Sequence, residues 1–235
     1  MHIPRLILEG LIQYVVLLFS LSVHESMHAY TANRFGDPTA RKLGRVTLNP
    51  IAHMELFGTV IFPLIMIFSN VNFLIGWAKP VPVNLQNLRN PRKDNLWIAA
   101  AGPLSNLGLC LGFFLVLSIL LRTSAVARLT LQNYLAGQPG AAGSSPSIWE
   151  PIVMFLLIGV FLNAILAIFN LLPIPPLDGG SVLQGLLPER AAEQMEGVSR
   201  YGLFILFFLM ATGFLRFLFG PVQFFLYTLL LQVSL

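Results

Sequence analysis

Two histidines and a glutamate follow directly on an apolar stretch near the start of the chain. The residues HESMH, 24–28, match the pattern HExxH, and the stretch before them, Leu6–Val23, carries a single charge. Residues four apart share one face of an α-helix, so His24 and His28 can offer imidazole nitrogens to one zinc ion. Glu25 lies beside them, where it can accept a proton from a water molecule that the metal activates. We therefore interpret the pattern as two zinc ligands and a catalytic base.

The alternative interpretation of HExxH is a set of polar side chains that reach towards the membrane surface from a helix end. Ionisable residues inside a membrane span are costly and are usually functional. The position of the motif at the end of an apolar stretch therefore favours the metal site.

A catalytic zinc needs a third protein ligand and one open position. Asp178 follows an apolar segment in "FNLLPIPPLDGG", 169–180, where three prolines prevent a regular helix. Irregular backbone at membrane depth is tolerated where it lines a buried site. However, "DGG" is also an ordinary turn signal, and His53 and Glu55 in "NPIAHMELFG" are competing candidates. The residues alone favour Asp178 as the third ligand and leave Glu55 as its rival.

The composition places these residues in a membrane. Of the 235 residues, 56% are hydrophobic and 10% are charged, and the mean hydropathy is +0.76. Soluble domains carry about 25% charged residues. The net charge of +4 fits loops that face anionic lipid, and the sequence contains no pattern typical of nucleic-acid binding. The single cysteine, Cys110, excludes a disulfide within the chain and a cysteine-rich metal site.

Apolar stretches of about 18 residues or more predict membrane-spanning helices. The predicted spans are Leu6–Val23, Leu96–Leu121, Ile152–Leu172, Tyr201–Phe219 and Pro221–Leu235. The last two are separated by "FGP" and form either two short spans or one kinked helix. We predict a polytopic α-helical membrane protein with about five to six transmembrane helices. It forms one membrane-embedded domain over residues 1–235, with a catalytic core at about 6–185 and a C-terminal helical hairpin at 201–235.

The basic residues indicate which loops face the cytoplasm. Arg34–Glu55 and Lys79–Asp94 hold eight of the chain's fourteen lysines and arginines, so the positive-inside tendency puts both stretches on the cytoplasmic side. Thr123–Glu150 is rich in Gly, Ser, Pro and Ala and is predicted to be a flexible loop outside. Within the basic stretches, "GRVTLNP", 44–50, and "KPVPVN", 79–84, predict short strands. These would form a small β element that either holds an unwound substrate or braces that face.

The depth of the three ligands constrains the topology. If Asp178 joins His24 and His28, the helices that carry them must run in the same direction, with an odd number of crossings between them. Leu96–Leu121 supplies one crossing, so Gly58–Trp77 must enter and leave on the same side or lie at the membrane surface. Its proline and "SNVN" at 69–72 favour a re-entrant segment. The N-terminus is then outside and the zinc lies towards the cytoplasmic face.

The motifs together resemble the site-2 proteases, a family of intramembrane zinc metalloproteases. The resemblance rests on HExxH, on GxxxN at Gly102–Asn106 in "AAGPLSN", and on NxxPxxxxDG at residues 170–179. The stretches "FGDPTARKLGRVTLNP" and "GWAKPVPVN" are similar to the short prokaryotic subgroup without PDZ and CBS domains. The resemblance covers roughly residues 15–185 and leaves the final hairpin outside.

The resemblance implies a zinc metalloendopeptidase with one Zn²⁺ per chain. It implies that Asp178 is the third ligand, that Glu25 is the base, and that Asn170 lies near the metal as a second catalytic residue. It leaves the roles of Asn106, His53 and Glu55 open, and for His53 and Glu55 it favours a role in supporting the site or the loop over metal binding. The implied partners are a lipid bilayer and the transmembrane helix of a membrane-protein substrate, cut by regulated intramembrane proteolysis in a prokaryotic plasma membrane.

Three other functions use the same buried polar residues. A zinc or ion transporter is expected to show paired repeats or several charges along one pathway, which this sequence lacks. A catalytically silent scaffold would lack a ligand or the base, and all four residues are present. A membrane zinc hydrolase that acts on another bond could use the same ligands, and only the family resemblance points to peptide bonds.

Overall fold

A computed structural model describes residues 3–69, 74, 76–138 and 148–234 of the chain, and every regular element among them is helical. The α-helices are α1 (Ile3–Arg34), α2 (Thr39–Lys42), α3 (Phe62–Phe68), α4 (Pro91–Thr123), α5 (Ala125–Leu135), α6 (Trp149–Asn170), α7 (Asp178–Leu186), α8 (Glu189–Ser199), α9 (Gly202–Ala211) and α10 (Phe214–Ser234). Short 3₁₀ turns cover Pro50–Ala52 and Leu85–Asn87, and a π-helical turn covers Leu56–Ile61.

The helices are of the lengths that a membrane protein needs. Within the described residues, four are long and apolar enough to cross a membrane, at Ile7–Arg34, Pro91–Thr123, Trp149–Asn170 and Phe214–Val233. Two shorter apolar helices cover Leu56–Phe68 and Gly202–Ala211. These elements support the predicted polytopic α-helical membrane protein, with four long helices and two short ones where about five to six spans were expected.

Helix α4 lies at the centre and packs against α1, α6 and α7. Asn106 of α4 contacts His24 of α1, and Ile98, two turns earlier in α4, contacts His28, one turn later in α1. The order of these contacts is reversed between the two chains, so α4 and α1 are antiparallel.

Helix α6 also packs against α4, and it contacts α1 as well. Asn163 of α6 bonds to Asn106, and Gly159, one turn earlier in α6, lies against Phe113, two turns later in α4. Helices α4 and α6 are therefore antiparallel too, and α1 and α6 run in the same direction. Parallel α1 and α6 are what the topology argument requires if His24, His28 and Asp178 lie at one depth in the membrane.

A packed cluster of apolar side chains joins α4, α5, α6 and α10 away from the histidines. Its buried members are Leu117, Leu121, Ala127, Leu131, Val153, Leu156, Leu157 and Leu230. Inside a membrane, close packing rather than removal from water holds such helices together. The cluster fixes α6 against α4 and so sets the position from which the chain turns towards Asp178.

The region after α4 differs from the prediction. Instead of a flexible loop from Thr123 onwards, α5 begins at Ala125, and the Ser124 hydroxyl accepts a hydrogen bond from the N–H of Ala127 at 3.2 Å. Ala127 and Leu131 lie four residues apart and are both fully buried, which gives the helix an apolar face. The Gly- and Ser-rich part, 139–147, lies outside the described residues.

The final helix pair is divided at a different residue from the one predicted. The division falls at Gly213, which has φ +75°, and not at "FGP", because α10 continues through Pro221. A residue in the left-handed region ends a helix, and glycine takes that conformation without steric cost. Leu235, at the end of the predicted span, lies outside the described residues.

The predicted β element is not formed in the described residues. Lys79 donates its N–H to the carbonyl oxygen of His53 at 2.8 Å, and the N–H of Asn84 goes to the carboxylate of Asp37 at 2.7 Å. The bonds therefore go to different loops instead of one neighbouring strand. Pro80 and Pro82 lack an N–H, so one edge of this stretch has no donors for a ladder.

The predicted re-entrant segment has its two ends in contact. The N–H of Trp77 donates to the carbonyl oxygen of Gly58 at 3.3 Å, and the Trp77 ring lies 5.9 Å from that of Phe62. Between them the chain forms the π-helical turn and α3. Most of the predicted turn "SNVN" falls at residues 70–72, outside the described residues.

Candidate metal centre

His24 and His28 lie one turn apart on the face of α1 that packs against α4. Their Nε2 atoms are 3.0 Å apart, and both residues are buried. Helix α1 continues to Arg34, so the HExxH motif sits inside regular helix rather than at a frayed end. The two imidazoles are therefore held on a rigid element, as a metal site requires.

Asp178 is the first residue of α7 and reaches the same point from the other side. Its Oδ2 lies 3.1 Å from Nε2 of His24 and 3.4 Å from Nε2 of His28. The chain turns back after α6, and a Cβ on Gly179 would collide with the carbonyl oxygens of Leu171 and Leu172. Glycine after the aspartate thus lets α7 begin directly beneath the end of α6.

The other nitrogen of each ring is already occupied. Nδ1 of His28 donates to the carbonyl oxygen of Ile98 at 2.6 Å, and Nδ1 of His24 lies 2.6 Å from Oδ1 of Asn106. With a proton on each Nδ1, both Nε2 atoms direct lone pairs towards Asp178 Oδ2, a buried oxygen with no hydrogen-bond donor. Three acceptors at such distances repel one another, and a metal ion bound between them would remove that repulsion.

The three atoms fit the geometry of zinc. Tetrahedral bonds of about 2.0–2.1 Å place neighbouring ligand atoms about 3.3 Å apart, and the three separations here are 3.0, 3.1 and 3.4 Å. Within the part of the chain that the structure describes, His24, His28 and Asp178 are the group that can hold a metal ion. Two histidines and one carboxylate also leave the open position that a catalytic zinc needs.

Gly102 and Asn106 give the GxxxN motif a physical explanation. A Cβ at Gly102 would come within 2.7 Å of Cε1 of His24 and collide with His28. One turn later, Asn106 holds His24 through its side chain. The glycine makes room for the imidazoles, and the asparagine orients one of them. The sequence left this role of Asn106 open.

Glu25 follows the first ligand on α1 and is partly buried. Arg45, which the sequence analysis did not single out, is a buried arginine within electrostatic reach of it. Its Nη2 donates to the carbonyl oxygen of Lys79, and its Nε has no partner. Burial lowers the pKa of the guanidinium, and the Glu25 carboxylate opposes this shift. The only signal in the sequence is one arginine in the otherwise uncharged stretch "GRVTLNP".

The structure places Asn170 at the last turn of α6. Its Nδ2 donates to the carbonyl oxygen of Leu166 at 2.9 Å, within its own helix. The amide N–H is thus used by the helix backbone. The predicted role of Asn170 near the metal stays a prediction.

The competing ligands His53 and Glu55 have structural contacts. Nε2 of His53 lies 2.8 Å from the carbonyl oxygen of Thr47. The Glu55 carboxylate accepts a hydrogen bond from the N–H of Gly58 at 2.5 Å and so caps the π-helical turn. These contacts account for the pair as loop-bracing residues, and neither joins the metal cluster in the described residues.

Comparison with known proteins agrees with this geometry. The chain matches the family model "Peptidase family M50" over residues 12–210. It is 36% identical over 199 residues to "Putative zinc metalloprotease YwhC" of Bacillus subtilis, covering 84% of this chain and 79% of that protein. It is 28% identical over 200 residues to "Putative zinc metalloprotease Rip2" of Mycolicibacterium smegmatis, covering 83% and 64%. A protein with that same name from Mycobacterium tuberculosis is 29% identical over 210 residues, covering 87% and 69%. No solved structure was found to match the chain.

Proposed function

The chain belongs to peptidase family M50 and is a zinc metalloprotease, and on this premise we propose that it cuts a peptide bond within or near the transmembrane helix of a membrane-protein substrate. The observation that carries the proposal is the convergence of His24, His28 and Asp178 inside a bundle of apolar helices. Two of the ligands lie within a helix long and apolar enough to cross a membrane. The substrate must then reach the site from the lipid.

The side chains of the site have separate roles in the proposed reaction. His24, His28 and Asp178 would hold one zinc ion, which when bound polarises a carbonyl group and activates water. Glu25 accepts the proton of the attacking water and delivers it to the nitrogen of the leaving amine. Arg45 is a buried cation within electrostatic reach of the Glu25 carboxylate.

A helical substrate must unwind locally before it is cut, because its carbonyl groups are hydrogen-bonded within the helix. Each backbone group left unpaired in lipid costs several kcal/mol. The loops near Lys79 and Asn84 have no regular secondary structure in this region. Their backbone groups are candidates to pair with the unwound segment.

We propose that the N-terminus faces outwards and that the metal centre lies towards the cytoplasm of a prokaryotic cell. The basic stretches on both sides of residues 58–77 support this orientation. The contact between Trp77 and Gly58 supports a re-entrant segment, because its two ends lie together. Cleavage on this side would release a cytoplasmic fragment, which is the outcome of regulated intramembrane proteolysis.

A transporter or a silent scaffold is less well supported by the same residues. Transport requires polar groups spread along a pathway through the membrane, whereas the metal-binding side chains among the described residues meet at one point. A scaffold needs no base, whereas Glu25 stands beside the ligands on α1.

The test is the variant Glu25→Gln in purified protein, with Glu55→Gln as the matched control. Zinc content and cleavage of a reporter with a single transmembrane helix are measured for both in proteoliposomes. Glu25→Gln should keep about one zinc per chain and lose at least about 100-fold in cleavage rate. Glu55→Gln should retain both. Loss of zinc in Glu25→Gln, or full cleavage by it, would rule out the assigned base.

A further inference from the structure

We propose that Asn163 is a positioning residue of the metal centre. It fixes the amide of Asn106, and that amide in turn fixes which nitrogen of His24 faces the metal. The proposal rests on the zinc site of the proposed function. Asn163 lies in α6, and its partner Asn106 lies 57 residues earlier in α4.

A continuous series of hydrogen bonds leads from the backbone of α6 to His24. Nδ2 of Asn163 donates to the carbonyl oxygen of Gly159 at 2.9 Å. Because that carbonyl can only accept, Oδ1 of Asn163 must be the atom that faces Asn106, and it accepts from Nδ2 of Asn106 at 2.9 Å. Oδ1 of Asn106 is then left to accept from Nδ1 of His24 at 2.6 Å.

Burial makes the direction of this series costly to reverse. Asn106 and Asn163 are both 0% exposed. If Asn106 turned over, its oxygen would face the oxygen of Asn163, and its amino group would face the Nδ1 proton of His24. A buried donor or acceptor without a partner costs about 1–3 kcal/mol. The alternative is to move the His24 proton to Nε2, which removes the lone pair that a metal needs.

The two histidines differ in the kind of group that accepts a hydrogen bond from Nδ1. Nδ1 of His28 is held by the carbonyl oxygen of Ile98, a backbone atom that cannot turn over. His24 is held by a side-chain amide, which has a donor and an acceptor of nearly the same shape. A second fixed partner decides between the two orientations of Asn106. Nδ2 of Asn106 donates to Oδ1 of Asn163 at 2.9 Å and, at the longer distance of 3.5 Å, to the carbonyl oxygen of Ser20, so Asn163 is the closer of the two acceptors.

This role explains an asparagine in the apolar middle of α6. Asn163 stands within Trp149–Asn170, which has the composition of a membrane span, and polar groups there are costly unless hydrogen-bonded. The same helix leads through its C-terminal turn to Asp178. Helix α6 therefore positions the third ligand and also orients the first.

The experiment compares Asn163→Leu in two backgrounds, the wild type and Asn106→Asp. A carboxylate at position 106 accepts from Nδ1 of His24 in either orientation, so it needs no partner to direct it. Two quantities are measured on the full chain in detergent. The first is the His24 tautomer in the metal-free protein, by ¹⁵N imidazole NMR. The second is zinc affinity, by competition with a chelator.

In the wild-type background, Asn163→Leu should shift His24 towards the Nε2-protonated tautomer and weaken zinc binding about 10- to 100-fold, the usual effect of removing such a supporting contact. In the Asn106→Asp background it should cause neither loss, because the leucine only takes an acceptor away from the carboxylate, which still accepts from Nδ1 of His24. Asn163→Ser, whose hydroxyl can still bond the Gly159 carbonyl but cannot reach Asn106, should reproduce the loss and serves if the leucine variant does not fold.

Two results would overturn the proposal. An equal loss of affinity in both backgrounds would show that Asn163 acts through packing alone, and an unchanged tautomer in the wild-type background would show that Asn106 does not depend on it. A wild-type chain that binds no zinc would instead overturn the proposed function. The tautomer of the metal-free protein would still decide the role of Asn163.

Discussion

The Cα atom of Gly102 faces the two imidazole rings of the metal centre, so the site depends on a missing side chain as well as on its ligands. A methyl group there would occupy space now taken by His24 and His28. Because α1 and α4 pack closely along this face, the rings cannot move away without shifting a helix. We therefore treat Gly102 as part of the metal centre, although it supplies no ligand.

Gly102→Ala should lose zinc, with a fall in affinity of at least about 10-fold, because the added Cβ displaces both ligands. Gly108→Ala is the matched control, since it lies on the same helix and a Cβ there meets nothing within 4 Å. Alanine favours helix over glycine by up to about 1 kcal/mol, so the control should be as stable as the wild type or more so. Zinc content and thermal unfolding are measured for both variants. A normal zinc content in Gly102→Ala would contradict the prediction.

The chemistry at the residue scale could be predicted where the residues are close in sequence. HExxH predicted two ligands and a base, because the spacing along one helix determines which side chains share a face. Asp178 was favoured, and the structure brings it to the histidines. Asn163 and Arg45 could not be found in this way, because their partners are distant in sequence and are known only once the helices are packed.

Among the elements, α9 has an unexpected contact with the turn that carries the third ligand. A Cβ on Gly202, the first residue of α9, would overlap the carbonyl oxygen of Pro175. The start of α9 therefore lies against the turn between α6 and α7. The family match extends to residue 210, through most of α9, whereas the resemblance seen in the sequence ended near residue 185.

Gly202→Ala should push α9 away from the Pro175 turn, which frees the start of α7. We expect a thermal midpoint several degrees lower and weaker zinc binding, because the Asp178 ligand loses its support. Gly197→Ala in α8 is the control, since a Cβ there meets nothing within 4 Å. Unfolding scans with and without added zinc measure both effects. An unchanged midpoint would show that α9 does not brace the site.

A second connection between elements runs through Asp37, just after α1. Its carboxylate accepts hydrogen bonds from the N–H of Thr39 at 3.1 Å, from Nδ2 of Asn87 at 2.8 Å and from the N–H of Asn84 at 2.7 Å. Burial raises the pKa of Asp37, but these hydrogen bonds outweigh it, and the net pKa lies below its usual value. Asp37 thus ties the end of α1 to the stretch before α4.

The lowered pKa of Asp37 determines how acid should affect the fold. Such a carboxylate stabilises the folded state above its unfolded pKa of about 3.9, and the contribution is lost as the pH falls through the lower folded pKa. Asp37→Asn should therefore destabilise the protein at pH 7 by about 1–3 kcal/mol and make it less sensitive to pH below about 4. Thermal unfolding of Asp37→Asn is measured at pH 7 and below about pH 4, with Glu193→Gln as the exposed control. If both variants lose the same stability on acidification, the role of Asp37 is refuted.

The helices were easier to predict than the connections between them. Long apolar runs located α1, α4 and α6, because a span must satisfy its backbone hydrogen bonds internally. The predicted strands at 44–50 and 79–84 were wrong. An alternating sequence indicates that the chain can be extended, but it does not show which neighbouring strand it would pair with. The division of the C-terminal pair was assigned to a proline, whereas the backbone turns at Gly213.

At the scale of the whole molecule, the outer surface is one that a membrane would cover. Large aromatic side chains on α9 and α10 are mostly exposed, including Phe204 at 73% and Phe217 at 78%. Such a surface in water would be an aggregation hazard, whereas against lipid tails it is stable. Composition was enough to predict this environment, because apolar residues exceed what a soluble core of this size can bury.

The proposed orientation can be tested with single cysteines in a Cys110→Ser background. Gln138→Cys follows α5 and Lys42→Cys lies in α2, and both positions are exposed. If the N-terminus faces outwards, a membrane-impermeant maleimide added to intact cells should label Gln138→Cys and not Lys42→Cys. Lys42→Cys should react only after the cells are opened. The reverse pattern would place the metal centre on the outer side.

The separation of the ligands along the chain also has a consequence in time. His24, Glu25 and His28 are synthesised and inserted well before Asp178, which α6 and its turn must deliver. Until the ribosome has passed residue 178, the nascent chain holds two ligands and a base but cannot complete the metal site. If His24, His28 and Asp178 hold the zinc ion as proposed, the chain cannot cleave a substrate while it is still being inserted.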